Sequence, residues 1–402
     1  MREKFTATEI ISEVRFQENK VISFDKKNST TYSFRVLEGG FIGIHYQEGE
    51  MSDEEGYALA EKNLELKRPY KFDVETGVRH RDKTEKVLSD KELLDMARET
   101  VRYISEKYPD FSFVGSFSQR ISLTKQENGK GLDYSNKDCS VSANFSFKHK
   151  DSKDITDGSF GLSDRNFDVN MLYEMADNYL SNYDKELELP EEIVLQTQYY
   201  GLIGKLKESL DSESLALGTS LLSGKIGQKV FADDFSLIHD VSDEVCWHSP
   251  FFDGEGVVLE NDKLPYIENG VVLRGYADKR IADKFGVEHT GSAWRSFADV
   301  PSNGNVNFQI DRSKKTIREL LNGRKTIILL AAMGGGFNDK GEYVMPVQKA
   351  LLSDGEKILG RLKEFTLVSS MFQMFGEDFI GVGSDKPIFH DKSVLIKMGL
   401  GK

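Results

Sequence analysis

The sequence predicts an α+β protein of two domains, and three observations carry that expectation. Short segments rich in Val, Ile, Phe and Tyr, separated by turn residues, open the chain and read as antiparallel strands. Helical spacing with capping residues follows them. Beyond residue 190 the chain is glycine-rich and mostly β-like, without the regular strand–helix alternation that a doubly wound parallel sheet needs.

Segments 8–16, 20–24, 31–37 and 40–46 are the first expected strands, with turns at Lys26-Lys27-Asn28-Ser29 and Gly39-Gly40. Ser52 followed by Glu55 has capping-box spacing and predicts a helix to about Lys67. Ser89 and Glu92 repeat the device. Leu93, Met96, Ala97, Val101 and Ile104 then recur at helical spacing until Pro109. Phe111, Phe113, Phe117, Ile121 and Leu123 are expected on one face of a strand, and Val141, Ala143, Phe145 and Phe147 on one face of another, with 126–138 as a polar loop between them. A helix from Asp168 to about Tyr183 places Val169, Leu172, Met175, Ala176 and Tyr179 on one side.

The acidic stretch 184–192, interrupted by Pro190, is the expected linker, giving domains 1–190 and 191–402. In the second, 271–273, 326–331 and 393–397 read as strands and 315–322 as a helix.

Charge is informative by exclusion. The chain has 53 basic and 66 acidic residues, a net of −13, so its surface repels a phosphate backbone. The basic groups Arg79-His80-Arg81 and Lys314-Lys315 are too small to reverse that, and no direct nucleic-acid partner is expected. No apolar run approaches the roughly 18 residues of a membrane span. The charged start, MREKFTATEI, is not expected to act as a secretory signal, and two cysteines, Cys139 and Cys246, fit a cytoplasmic location.

A helical zinc site needs two histidines one turn apart with a glutamate between. The seven histidines lie at 45, 80, 149, 239, 248, 289 and 390, and no two are within five residues. His239, Asp240, Asp243, Cys246 and His248 are the one dense group of metal-capable side chains, with Cys246 and His248 expected on one face of a strand. A triad from Cys246 with His248 fails because residues two apart on a strand do not meet, and Ser292 lacks a nucleophile elbow. The run 218–226 has five residues between its glycines where a phosphate loop has four, and Ile226 where Ser or Thr binds magnesium. Gly334, Gly335 and Gly336 lack the third glycine of a dinucleotide fingerprint. No cofactor is expected.

Residues 222–295 resemble the C-terminal half of the TldD/PmbA family, once named modulators of DNA gyrase. The resemblance rests on Gly224-Lys225, Gly227, Val230, the segment 250–256, Glu268-Asn269-Gly270, Tyr276 and Thr290-Gly291. Gly334, Gly335, Gly336, Asn338 and Gly341-Glu342-Tyr343 extend it. After Tyr343 the family's Ser-x-Gly-Ala-x-Gly segment is replaced by 344–352. The family pairs a zinc peptidase subunit, TldD, carrying HExxxH, with a partner, TldE or PmbA, that lacks the zinc ligands.

In this chain the corresponding stretch, 199–214, has Glu208 and Glu213 but no histidine, and no cysteine follows Cys246. The resemblance therefore implies a metal-free subunit that works with a TldD-type zinc subunit on peptides or unfolded proteins. Thr290, Gly291, Arg295, Gly334, Gly335, Gly336 and Asn338 are the candidate peptide-contact or fold loops, with no catalytic or metal-binding residue assigned. The alternatives are a homodimer that binds peptides without cutting them, and a self-sufficient hydrolase built on the His239–His248 group.

Overall fold

The computed structural model describes residues 1–198 and 201–401. The α+β class holds, with mainly antiparallel sheets and packed helices. The N-terminal sheet is built from β1 (Arg2–Gln17), β2 (Lys20–Glu38), β3 (Phe41–Glu48), β4 (Arg68–Pro69), β5 (Gly77–Lys83), β6 (Phe111–Asn128), β7 (Leu132–His149) and β8 (Gly158–Asp164). Their order is β4-β3-β2-β1-β6-β7-β5, with β8 also on β7. Helices α1 (Asp53–Lys62), α2 (Asp90–Lys107) and α3 (Val169–Leu180) pack around it.

Several strands outrun their expected limits. The Lys26–Ser29 turn is absent: β2 runs straight through, with Asn28 opposite Ile10. A continuous partner in β1 satisfies the backbone there, so the polar residues become an exposed stretch of strand. The expected loop 126–138 is likewise mostly strand, because β6 and β7 pair as far as Glu127 opposite Asp133 and turn only around Gly129–Gly131.

The buried side of β6 also switches. Phe111, Phe113 and Phe117 are buried at one end, and Ser122, Thr124 and Gln126 at the other. Each end is covered by a different layer on the opposite face. At the first end, α2 and α3 bring Leu93, Val101, Ile104, Leu172 and Tyr179 against Phe113, Phe117, Phe145 and Phe160. Ile328 and Leu351, from the second half of the chain, join this cluster. At the other end Phe5, Leu132 and Tyr134 receive Cys246, Phe251 and Phe252.

The helix ends follow their caps. Ser89 and Glu92 form the full box: Glu92 N–H donates to Ser89 Oγ and Ser89 N–H to Glu92 Oε2. At α1 only the first of these bonds forms, from Glu55 N–H to Ser52, and a 3₁₀ turn over Asn63–Leu66 replaces the expected last helical turn.

The chain continues through β9 (Glu186–Leu187), β10 (Ile193–Thr197), α4 (Gly204–Ser209), α5 (Ser212–Leu217), β11 (Leu237–Asp240), β12 (Lys263–Glu268), β13 (Val271–Val272) and α6 (Lys279–Phe285). Next come β14 (Ala293–Trp294), β15 (Ser302–Asn303), β16 (Phe308–Ile310), α7 (Ile317–Leu321), β17 (Thr326–Ala332), β18 (Gly336–Phe337) and β19 (Glu342–Ser353). The last elements are β20 (Ile358–Leu362), β21 (Phe365–Ser370), α8 (Met371–Phe375), β22 (Phe379–Val382) and β23 (Val394–Leu400).

β17, β10, β23, β21 and β19 form a closed ring of pairings around Leu195, Val347, Leu367 and Ile396. Closure gives each of these five strands a partner on both sides, and the sheet's edges lie on its branches, β20–β9, β18 and β22. The stretch 184–192 is not a free linker, since β9 within it pairs with Arg361 and Leu362 of β20. The short helices α4, α5, α6 and α8 carry too few turns for a periodic pattern to announce them. A small sheet, β13-β12-β11-β16, presents His239 to the site described next.

Candidate functional site

A cleft of about 420 Å³ opens between β11, the loop 245–250, β14 and the approach to β16. It gathers two groups that are remote in sequence, the His239–His248 segment and Arg295. Trp294 lies on its rim, 57% exposed.

His239 is buried, and Asn307 N–H donates to its Nδ1 at 2.9 Å. The neutral ring therefore carries its proton on Nε2. Burial pushes its pKa down to about 4. Cys246 and His248 do not share a strand face, contrary to expectation. They sit in a tight loop where His248 has φ +59°, and the turn sends the imidazole onto the N-terminal sheet. There its Nδ1 meets Ser122 Oγ and its Nε2 meets Ser140 Oγ, both at 2.8 Å. Its backbone N–H donates to Asp138. Burial, with Arg120 nearby, lowers this pKa to about 4 as well. The Cys246 thiol is pushed up to about 11 by burial, far from the thiolate a metal would need.

The neighbouring segment 250–256 is locked from both sides. Asp253 accepts backbone N–H bonds from Glu255, Val257 and Ala293, which ties it to β14. Glu255 accepts from Tyr70 Oη and from Lys279 N–H, each at 3.0 Å. Burial beside Asp253 raises its pKa to about 8. Arg35, 1% exposed, reaches across from β2 to Glu3, to the Gly254 carbonyl and to the Ser296 carbonyl. Sequence reasoning missed this network. Its only sequence signal is the pair of acids alternating with glycines in 253–256, whose partners lie up to 185 residues away.

The loop residues singled out from sequence divide into two places. Thr290 is buried with its hydroxyl between Ala277 and Ser292. Gly291 takes φ +62° against Val257 and Leu259. Arg295, half-buried, donates to the Phe252 carbonyl at 2.7 Å and lies over the rings of Phe5 and Phe252. Gly334, Gly335 and Gly336 all have positive φ and join β17 to β18, beside the exposed Met333. A side chain at Gly335 would strike the Val344 carbonyl. Asn338 folds its side chain onto Lys340 N–H and Glu342 N–H, closing the β18–β19 turn. The first group faces the cleft or supports it, and the second caps a hairpin on the other sheet.

Residues 199 and 200, the start of the stretch matched to the zinc motif, lie outside the described residues. In the remainder, Glu208 pairs with Lys205 at 2.9 Å and Glu213 with Lys284 at 2.7 Å. Among the described residues no three His, Cys, Asp or Glu side chains gather as a metal ion requires. The donors do not fit zinc. Arg79 and Arg81, from the basic group set aside above, are spent within the fold: Arg79 grips Asp262 with both arms, and Arg81 meets Asn136, Val241 and Ser249. Among the described residues no helix is long and apolar enough to cross a membrane.

Known proteins share this architecture. TldE from Thermococcus kodakarensis superposes with a TM-score of 0.80 at 18% identity, covering 99% of this chain and 96% of that one. A Thermotoga maritima protein described as a modulator of a DNA gyrase gives 0.78 at 20% identity, covering 99% and 95%. In sequence, the protein MJ0231 of Methanocaldococcus jannaschii is 24% identical over 399 residues, 91% of this chain and 90% of that one. A metalloprotease of Methanothermobacter thermautotrophicus is 26% identical over 183 residues, 45% of this chain and 39% of that one. The family model described as the PmbA/TldA metallopeptidase C-terminal domain matches residues 192–394, half of the chain. The chain belongs to the PmbA/TldD metallopeptidase family.

Proposed function

We propose that this chain is a TldE/PmbA-like subunit that carries no zinc of its own and helps a TldD-type zinc peptidase bind and cleave peptides in the cytoplasm. The observation that carries the reading is the state of the segment matched to the zinc motif. It has no histidine, and its two acids are spent on lysines of the same fold. A zinc-bound water is the usual means of attacking an amide in such enzymes, and it needs three protein ligands around the ion. Nothing in the His239–His248 segment replaces them, since both imidazoles are committed to the chain's own groups and Cys246 is held as a thiol. The likeness in fold to TldE supports the same assignment.

The division at residue 190 belongs to this reading, with the first part a platform and the second the part that meets peptide. Of the loop candidates, Arg295 and the Gly334–Gly336 turn are open enough to touch one, whereas Thr290 and Gly291 support the cleft from behind.

Sedimentation of the chain with a TldD-type zinc subunit, followed by a fluorogenic peptide assay on each fraction, tests the proposal. The expected result is a mixed species that holds all of the peptidase activity. Two chains sedimenting apart, with activity no greater than the zinc subunit alone, would refute it.

A further inference from the structure

One charge in the main cleft has no contact partner of opposite sign. Among the described residues that line it, none is Asp or Glu, His239 and His248 are neutral, and Arg295 is the sole cation. The other arginines of this region are well held. Arg79 and Arg165 each grip a carboxylate with two nitrogens. Arg81 meets three acceptors, and Arg35 reaches Glu3 and two carbonyls. Arg295 differs. Its one hydrogen bond runs from Nη2 to the Phe252 carbonyl at 2.7 Å, and its Nε is buried without an acceptor. A guanidinium carries five N–H donors, and among the described residues only one of these is answered.

Burial works hardest against this charge, while Asp253 supports it through space and Arg35 opposes it. The Asp253 oxygens already accept the N–H groups of Glu255, Val257 and Ala293 and form no ion pair with Arg295. The free donors therefore suit an anion from outside, and a planar fork matches the two oxygens of a carboxylate. Asn305 lines the same cleft, and among the described residues its side-chain amide has no partner, so it can add a neutral donor. Next to these donors the walls are apolar: Trp294, Phe297 and Val306 line the same space, with Trp294 exposed at the rim. Such rings give an apolar side chain a surface to pack on.

We propose that this cleft binds a peptide carboxylate on Arg295, with the apolar side chain beside that carboxylate packed against Trp294, Phe297 and Val306. The inference rests on the peptide-handling role proposed above and gives that role a selectivity. The carboxylate is either the free end of the peptide or an acidic side chain, two sources of one chemistry.

Calorimetric titration with three unlabelled pentapeptides tests this: one ending in Phe as the free acid, the same peptide as its C-terminal amide, and an amide with Glu beside the Phe. Each is titrated into the chain alone and into its mixture with a TldD-type subunit stripped of zinc, so that nothing is cleaved. At least one carboxylate-bearing peptide should bind about tenfold more tightly than the plain amide, the scale of a hydrogen bond to a charged group. Which one does so identifies the source as chain end or side chain. Arg295→Gln should level the three peptides, and Trp294→Ala should weaken all three alike. Three peptides binding alike in the wild type would overturn the anchor but leave peptide handling intact, and this comparison holds even if Arg295→Gln loses the fold. An Arg295→Gln protein with the wild-type urea midpoint that kept the preference would overturn it equally. No binding of any peptide in either sample would overturn both the anchor and the peptide-handling role.

Discussion

Arg35→Ala should destabilise the protein by about 3–5 kcal/mol, the scale of breaking one side of a buried ion pair. Arg35 is among the largest fully buried side chains, at 1% exposure, and Glu3 beside it is 4% exposed. The guanidinium holds Glu3 at 3.0 Å and two carbonyls, of Gly254 and Ser296, at 2.9 and 3.1 Å. Alanine would strand the Glu3 carboxylate in a dry interior and leave both carbonyls without a donor. It would also open a void where the side chain had packed.

The lost carbonyl contacts belong to the segment 250–256 and to the strand end that carries Arg295, so the main cleft should loosen together with global stability. Urea unfolding checks the first effect, and proteolysis within 290–300 the second. Replacing the pair together, Arg35→Met with Glu3→Leu, should restore most of the stability, because no buried charge is then left alone. A fall below about 1 kcal/mol in the single variant would mean that water reaches Glu3.

That ion pair also shows where sequence reading stops. Local devices were legible. The Ser89–Glu92 box forms both of its bonds, Leu93, Ala97, Val101 and Ile104 are buried with Met96 half-buried beside them, and the Gly39-Gly40 turn joins β2 to β3. These depend on neighbours a few residues apart. Lys26–Ser29 failed because a turn composition is only a preference, and an unbroken partner strand overrides it. Cys246 and His248 failed because a spacing of two implies one strand face only if the segment is extended, and φ of +59° at His248 is not.

In the cleft, the distance along the chain is larger still. His248 is held by Ser122 and Ser140, Arg81 by Val241 and Ser249, and Glu255 by Tyr70 and Lys279. No periodicity in the sequence encodes such pairings. What the sequence did make visible was the absence of paired histidines, which needs no geometry.

The two cleft histidines should make the protein acid-sensitive. Each has its folded pKa lowered from 6.5 to about 4 by burial. Between those values the unfolded chain binds protons that the folded chain refuses, so stability rises with pH there. The contribution is fully present above about pH 6.5 and is lost as pH falls toward 4. At ~1.4 kcal/mol per pH unit the span is worth about 3 kcal/mol for His239, and less for the partly exposed His248.

Glu255 acts in the opposite direction. Its folded pKa, raised to about 8, means that stability declines as pH climbs from about 4.5 to 8. Comparison with variants isolates the histidine terms. His248→Asn keeps a residue that tolerates positive φ, and His239→Gln keeps a polar side chain. Against either variant, the wild type should lose up to ~1.4 kcal/mol of relative stability for each pH unit below 6.5, read from urea midpoints between pH 4 and 8. Parallel pH profiles in wild type and variants would show that both rings titrate normally.

Both predictions concern how the cleft is held; the functional proposal turns on whether this chain can grip zinc. Zinc analysis of the purified full chain, after incubation with zinc and exhaustive dialysis, addresses that directly. A partner subunit whose imidazoles are tied to Asn307, Ser122 and Ser140 should come through dialysis without retained zinc, while a TldD-type chain treated alongside keeps its own. One zinc retained per chain, and lost in His239→Gln or His248→Asn, would contradict the proposal and make this protein a metallopeptidase in its own right.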